Sequence, residues 1–144
     1  MNIKDIKNWF EIAIPEPTIE QACIQVGCHF EEFGEMMESI NMEGTDAIIN
    51  IEGESEGFKQ AYDYWVHRVE DCDKVALLDS LCDQIVTAIG VAHMLGMDIE
   101  GALEEVNRSN HSKFVDGKAV FDAGGKITKG ELYSKPELDK FIGG

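Results

Sequence analysis

The sequence predicts an all-α fold, a helical bundle with a short C-terminal appendage, and three observations carry that prediction. Ile19, Cys23, Val26, Phe30, Phe33, Met37 and Ile40 recur in steps of four and three, the period of a bundle seam and not of a strand. Thr18 followed three residues later by Gln21 is a capping box that starts this helix sharply. A second apolar stretch runs from about Phe58 to Leu95 and stops at Gly96, a residue suited to closing a helix.

The elements follow in order. Residues 2–11 read as a short amphipathic helix that ends before Pro15 and Pro17. The Thr18 helix comes next, and "NMEGTD" and "NIEGESEG" then interrupt the periodicity with glycines. The long stretch from about Phe58 to Leu95 has a bend expected near "EDCD". Asp98 is placed to cap a further helix through about Ser112. Beyond it, residues 118–121 and 126–128 flank an Ala-Gly-Gly turn, the pattern of a small hairpin or an ordered tail.

A chain of 144 residues with 44% hydrophobic content is long enough for one domain with a core, here a bundle of about 2–114 and a tail of about 115–144. Its formal net charge of -16 argues against a nucleic-acid duplex or an anionic membrane as partner, because phosphate surfaces need an excess of Lys and Arg. No unbroken run of about 18 apolar residues occurs, and the first residues lack both a basic start and an apolar signal core. The expected location is therefore cytoplasmic. Cys23, Cys28, Cys72 and Cys82 form no CxxC pair, and Cys23 and Cys82 occupy apolar helical positions, so reduced thiols are expected.

Chemistry concentrates in "FEEFGEMMESI", residues 30–40. Glu31, Glu32 and Glu35 share a narrow sector beside the seam, since residues four apart are about 40° apart around a helix and residues three apart about 60°. Asp79 and Asp83 are again four apart, among Leu78, Leu81, Cys82, Ile85 and Ile89, which should be buried. Acids flanked by core residues are costly unless a cation relieves them. Two such helices packed antiparallel would gather four or five carboxylates, a set of hard oxygen donors suited to Mg²⁺ or Mn²⁺. The plainer reading is two solvated acidic faces. A ferritin-like di-iron site is disfavoured, because the residues three before the four histidines are Val26, Tyr64, Gly90 and Arg108, none acidic.

A third element is "EVNRSNHSKF", where Asn107, Asn110 and Lys113 recur every third residue with Arg108 nearby. Amides and an ammonium suit a base edge and a phosphate, although Asn and Ser also gather at ordinary helix ends. Lys118, Lys126 and Lys129 make the tail the least acidic part of the chain, placed either to reach a triphosphate or simply exposed.

Taken in order, "EEFGE", "DSLCDQIVTAIGVAHMLGMD" and "EVNRSNHSKFVDGKAVFDAGGKITKG" resemble the MazG-like all-α nucleoside triphosphate pyrophosphohydrolases, from about Ile6 to Pro136. The resemblance is to the compact bacterial and phage members with an SNxSK signature. It implies Mg²⁺-dependent hydrolysis of a (d)NTP between the α and β phosphates, giving a monophosphate and pyrophosphate in nucleotide-pool housecleaning. It implies a homodimer with a four-helix core assembled across two subunits. By the family's EExxE and ExxD patterns, Glu32, Glu35 and Asp83 are implied metal ligands. Glu31 is implied in activating water or holding a second metal, with Glu35 also in the catalytic group, and Asn110 and Lys113 in nucleotide contacts. Ser80 stands where the ExxD pattern has glutamate, and Asp79, one residue earlier, is the candidate substitute ligand. That departure favours the alternative, a non-catalytic acidic helical protein that binds a partner and keeps a degenerate site.

Overall fold

The computed structural model describes residues 3–144, so Asn2, the first residue of the expected N-terminal helix, lies outside the described residues. Among the described residues the chain is mostly helical, with α1 at Ile3–Ala13, α2 at Ile19–Ser39, α3 at Asp46–Gln60, α4 at Asp63–Glu70, α5 at Lys74–Met94 and α6 at Ile99–His111. Two short strands, β1 at Val120–Phe121 and β2 at Ile127–Thr128, pair as a hairpin, and a 3-10 turn covers Asp139–Phe141. The expected all-α class holds, with the hairpin where the Ala-Gly-Gly turn put it. The chain divides into two compact units: residues 3–15, 73–120 and 127–144 form one, and residues 16–72 with 121–126 form the other.

In the second unit α2 begins as the sequence requires. The Thr18 hydroxyl accepts from the Gln21 amide at 3.1 Å, and the Gln21 side chain accepts from the Thr18 amide at 2.9 Å. The buried stripe of α2 is Cys23, Gly27, Gly34 and Met37, with Phe30 partly covered. Phe33 and Ile40, expected on the seam, are exposed. The reason is close helix approach. A Cβ on Gly27 would sit 2.7 Å from the carbonyl oxygen of Ser55 and 2.8 Å from the backbone nitrogen of Lys59, so only glycine lets α3 come this near. Apolar periodicity does not score glycine, so Cys23 and Met37 are buried as expected while Gly27 and Gly34 take the buried places next to Val26 and Phe33.

The glycines of "NIEGESEG" do not break the helix either, because α3 runs through them from Asp46 to Gln60. Ile48, Ser55 and Phe58 form its buried face. Gly57 leaves room for the Trp65 ring, which meets Phe58 edge-on at 4.9 Å, while Phe58 stacks on Phe30 at 5.5 Å. The helical stretch expected from about Phe58 to Leu95 is interrupted near "EDCD", the place of the expected bend, where α4 gives way to α5, and a second time at residues 61–62, between α3 and α4. Ala61 adopts a left-handed conformation (φ 51°) that ends α3, and Asp73 caps α5 through bonds of 3.1 and 3.0 Å from the Val75 and Ala76 amides.

In the first unit Trp9 and Ala13 of α1 pack on Phe114, with Phe10, Ile14, Ala119 and Ile127 around them. Trp9 and Phe114 stack at 5.5 Å. Asp98 caps α6 by accepting from the Gly101 amide at 3.0 Å, as expected from its position. The C-terminal segment is tied to α6: Glu105 accepts from the Glu137 amide at 2.9 Å, and Arg108 donates to Glu105 at 2.7 Å and to the Lys135 carbonyl at 3.1 Å.

The largest departure is α5. Leu78 is 63% exposed and Ile85 and Ile89 are each 49% exposed, Leu81 and Cys82 are exposed too, and Ala92 is the buried residue of this helix. An apolar side chain is buried only where another surface covers it, and among the described residues Leu78, Ile85 and Ile89 remain exposed. Among the described residues, α5 is also the helix long and apolar enough, by length and composition, to cross a membrane.

Candidate functional site

Residues i, i+4 and i+7 of a helix share a face, and α2 carries Glu31, Glu35 and Glu38 in that register. From α3, Glu52 and Glu56 are likewise one turn apart. The close crossing at Gly27 and Ser55 directs both sets toward a common open cleft of about 270 Å³, with Phe30, Gly34, Ser55 and Lys59 completing its walls. Five carboxylates and one ammonium therefore share the cleft. Glu32 lies on the exposed side of α2 and is not among the lining residues.

One of these acids is neutralised within the unit. Oε2 of Glu31 lies 2.5 Å from Nζ of Lys59 and 2.8 Å from Nζ of Lys126. Partial burial pushes the Glu31 carboxyl upward, but hydrogen bonds from Lys126 and Lys59 outweigh it and hold the carboxyl below its ordinary range. The hydrogen bond to Glu31 raises the Lys126 ammonium in turn.

Lys126 reaches Glu31 because of the turn that carries it. Oδ1 of Asp122 accepts from the Gly124 amide at 2.9 Å and the Lys126 amide at 3.0 Å, and the Asp122 amide donates to the Lys126 carbonyl at 2.9 Å. Gly125 takes a left-handed conformation (φ +80°), and a Cβ there would meet Cδ1 of Ile24 at 3.2 Å.

The other predicted residues belong to the first unit. Asp79 and Asp83 are exposed on α5, a turn apart, with Ser80 between them accepting from the Gln84 amide group at 3.2 Å. Asn107, Asn110 and Lys113 are partly buried at the end of α6. The Asn107 carbonyl faces Nδ1 of His111 at 2.9 Å, and Nζ of Lys113 lies 5.9 Å from the centre of the Trp9 ring. Arg108, on the same stretch, is committed to Glu105 and the C-terminal segment.

The carboxylate set is chemically suited to a hard divalent cation. The geometry does not yet fit one: among the described residues no group of three or more His, Cys, Asp or Glu side chains is gathered to hold a metal ion. Beside Glu31 the positive charge is supplied by two lysines. Lys59, Glu52 and Glu56 were not singled out by the sequence, although the i, i+4 spacing of the two glutamates signals a shared face once "NIEGESEG" is read as helix.

No protein-family model, no curated protein and no solved structure matches this chain.

Proposed function

We propose that the chain is a nucleoside triphosphate pyrophosphohydrolase that cleaves (d)NTPs between the α and β phosphates, with Mg²⁺ as its metal and Mn²⁺ as a substitute. The observation that carries this reading is the α2/α3 cleft, where Glu31, Glu35, Glu38, Glu52 and Glu56 converge with Lys59. A cleft so acidic repels a polyphosphate unless cations accompany it, and bound Mg²⁺ would supply charge neutralisation and an acidified water. In this reading Glu35, with Glu32, Asp79 and Asp83, provides carboxylates for the metal. Glu31 or one of the ligand acids would accept the proton of the attacking water, and Asn107, Asn110 and Lys113 would hold the nucleotide.

The reading includes a homodimer. The exposed apolar side chains of α5 need cover, and a second copy would bury them. Spanning a bilayer is the poorer use of α5, because Asp79 and Asp83 would then sit within it.

The test is pyrophosphate release from canonical and modified NTPs and dNTPs, with Mg²⁺ and with EDTA, for the wild type and Glu35→Gln. Metal-dependent release, reduced at least about a hundredfold in the variant, is the expected result. Intact nucleotides at saturating Mg²⁺ would reject it in favour of the second reading, a non-catalytic acidic interaction protein. Ser80, at the position where the resembled pattern has glutamate, favours that alternative.

A further inference from the structure

Two donors where α1 meets the end of α6 lack acceptors. Trp9 is 6% exposed, and its Nε1–H is buried with no hydrogen-bond partner among the described residues. Of the partly buried lysines, Lys59 and Lys126 meet Glu31, whereas Lys113 meets no carboxylate among the described residues, although the chain has 28 acids to 12 bases. Nζ of Lys113 lies 5.9 Å from the centre of the Trp9 ring. We infer that Trp9 is a nucleotide-binding residue, its indole N–H and the Lys113 ammonium donating to one phosphate of the (d)NTP. The inference rests on the proposed pyrophosphohydrolase reading and adds a residue of α1 to the group that holds the nucleotide.

A buried indole N–H ordinarily finds an acceptor, because unpaired it forfeits the hydrogen bond it had with water. Packing does not call for this N–H. Trp9 stacks flat on Phe114 at 5.5 Å and meets Phe10 edge-on at 4.9 Å, contacts that a phenyl ring would also make. Both unmatched groups are donors, so their complement is an acceptor, and the charge of Lys113 makes an anionic oxygen the better one. Asn107 and Asn110 continue from Lys113 along one stripe of α6, where carboxamides suit a base or sugar. Nε1 is closed to solvent, so a phosphate reaches it only as a neighbouring side chain moves aside, and Lys113 is held by no ion pair that would prevent this. Were Lys113 merely a cation at the carboxyl end of α6, and Trp9 merely core, neither would respond to a nucleotide.

Nuclear magnetic resonance of the indole N–H groups tests this on the full chain. The probes are non-hydrolysable α,β-imido (d)NTPs with Mg²⁺, and the matching nucleosides. The chain has two tryptophans, so the Trp65→Phe variant identifies the Trp9 signal. A triphosphate should move that signal downfield, and its nucleoside should leave it in place. Trp9→Phe, which keeps the ring stacking, should weaken triphosphate binding about tenfold or more while its thermal midpoint stays near that of the wild type. If Trp9→Phe fails to fold, Lys113→Gln takes its place, and the downfield shift should be lost in it. A Trp9 signal that stays put while a triphosphate binds, a shift that the nucleoside reproduces, or wild-type affinity in Trp9→Phe overturns the inference and leaves the pyrophosphohydrolase reading standing. If no triphosphate binds, that reading falls and the inference falls with it.

Discussion

Ser55 donates its hydroxyl hydrogen to the carbonyl of Gly27 at 2.7 Å, and both residues are buried where α2 and α3 cross. The bond sets the approach that points Glu31 and Glu35 toward Glu52 and Glu56. Gly27→Ala would press a methyl group against the backbone of Ser55 and Lys59, and overpacking of this kind costs about 1–3 kcal/mol. Ser55→Ala removes one buried hydrogen bond and should cost about 1 kcal/mol. Urea unfolding of the two single variants and the double variant measures both. Subadditive losses are expected, because the two changes act on one contact.

Strong acid should loosen the C-terminal segment. Hydrogen bonds from Arg108 and from the Glu137 amide hold the Glu105 carboxyl down at about 2, against an ordinary value of 4.5. A depressed carboxyl contributes stability that is complete above its unfolded value and lost as pH falls through its folded value. The stability difference between wild type and Glu105→Gln should therefore be constant above about pH 5 and shrink steadily toward pH 2. Urea melts at stepped pH check the trend, and a difference that grows with acid would contradict it.

The α5 face makes a prediction about assembly. If a second copy covers Leu78, Ile85 and Ile89, the protein sediments as a dimer. Ile85→Glu then weakens association at least about tenfold, since a carboxylate buried without a partner costs more than about 1.4 kcal/mol. Sedimentation velocity over a concentration series distinguishes the variant from wild type. A wild type that stays monomeric at every concentration, or floats with lipid vesicles, would assign α5 to something else.

Much of the local structure was legible before any coordinates. Thr18, Gln21 and Asp98 act within three residues of themselves, so their caps could be read directly, as could the turn at residues 122–125. Periodicity finds Cys23 and Met37 on the buried seam of α2 but misses Gly27 and Gly34, which contribute by having no side chain. For the same reason the glycines of α3 looked like punctuation when they were contact surface. In the site, the acidic run of α2 was plain, but its lysine partners were not, since Lys59 and Lys126 lie 28 and 95 residues from Glu31.

The sequence by itself determined the helical class, the start of α2, the cap of α6, the hairpin and the acidic character of α2, all of which depend on neighbours a few residues apart. Only the tertiary structure decided which face of α2 is buried, that Glu52 and Glu56 stand across from Glu31 and Glu35, and that two ammonium groups claim Glu31. The division follows from range. Backbone hydrogen bonds and side-chain periodicity act over one or two turns, whereas helix crossings and ion pairs are set by how closely distant segments can approach, which here depends on the hydrogen atom that serves Gly27 as a side chain.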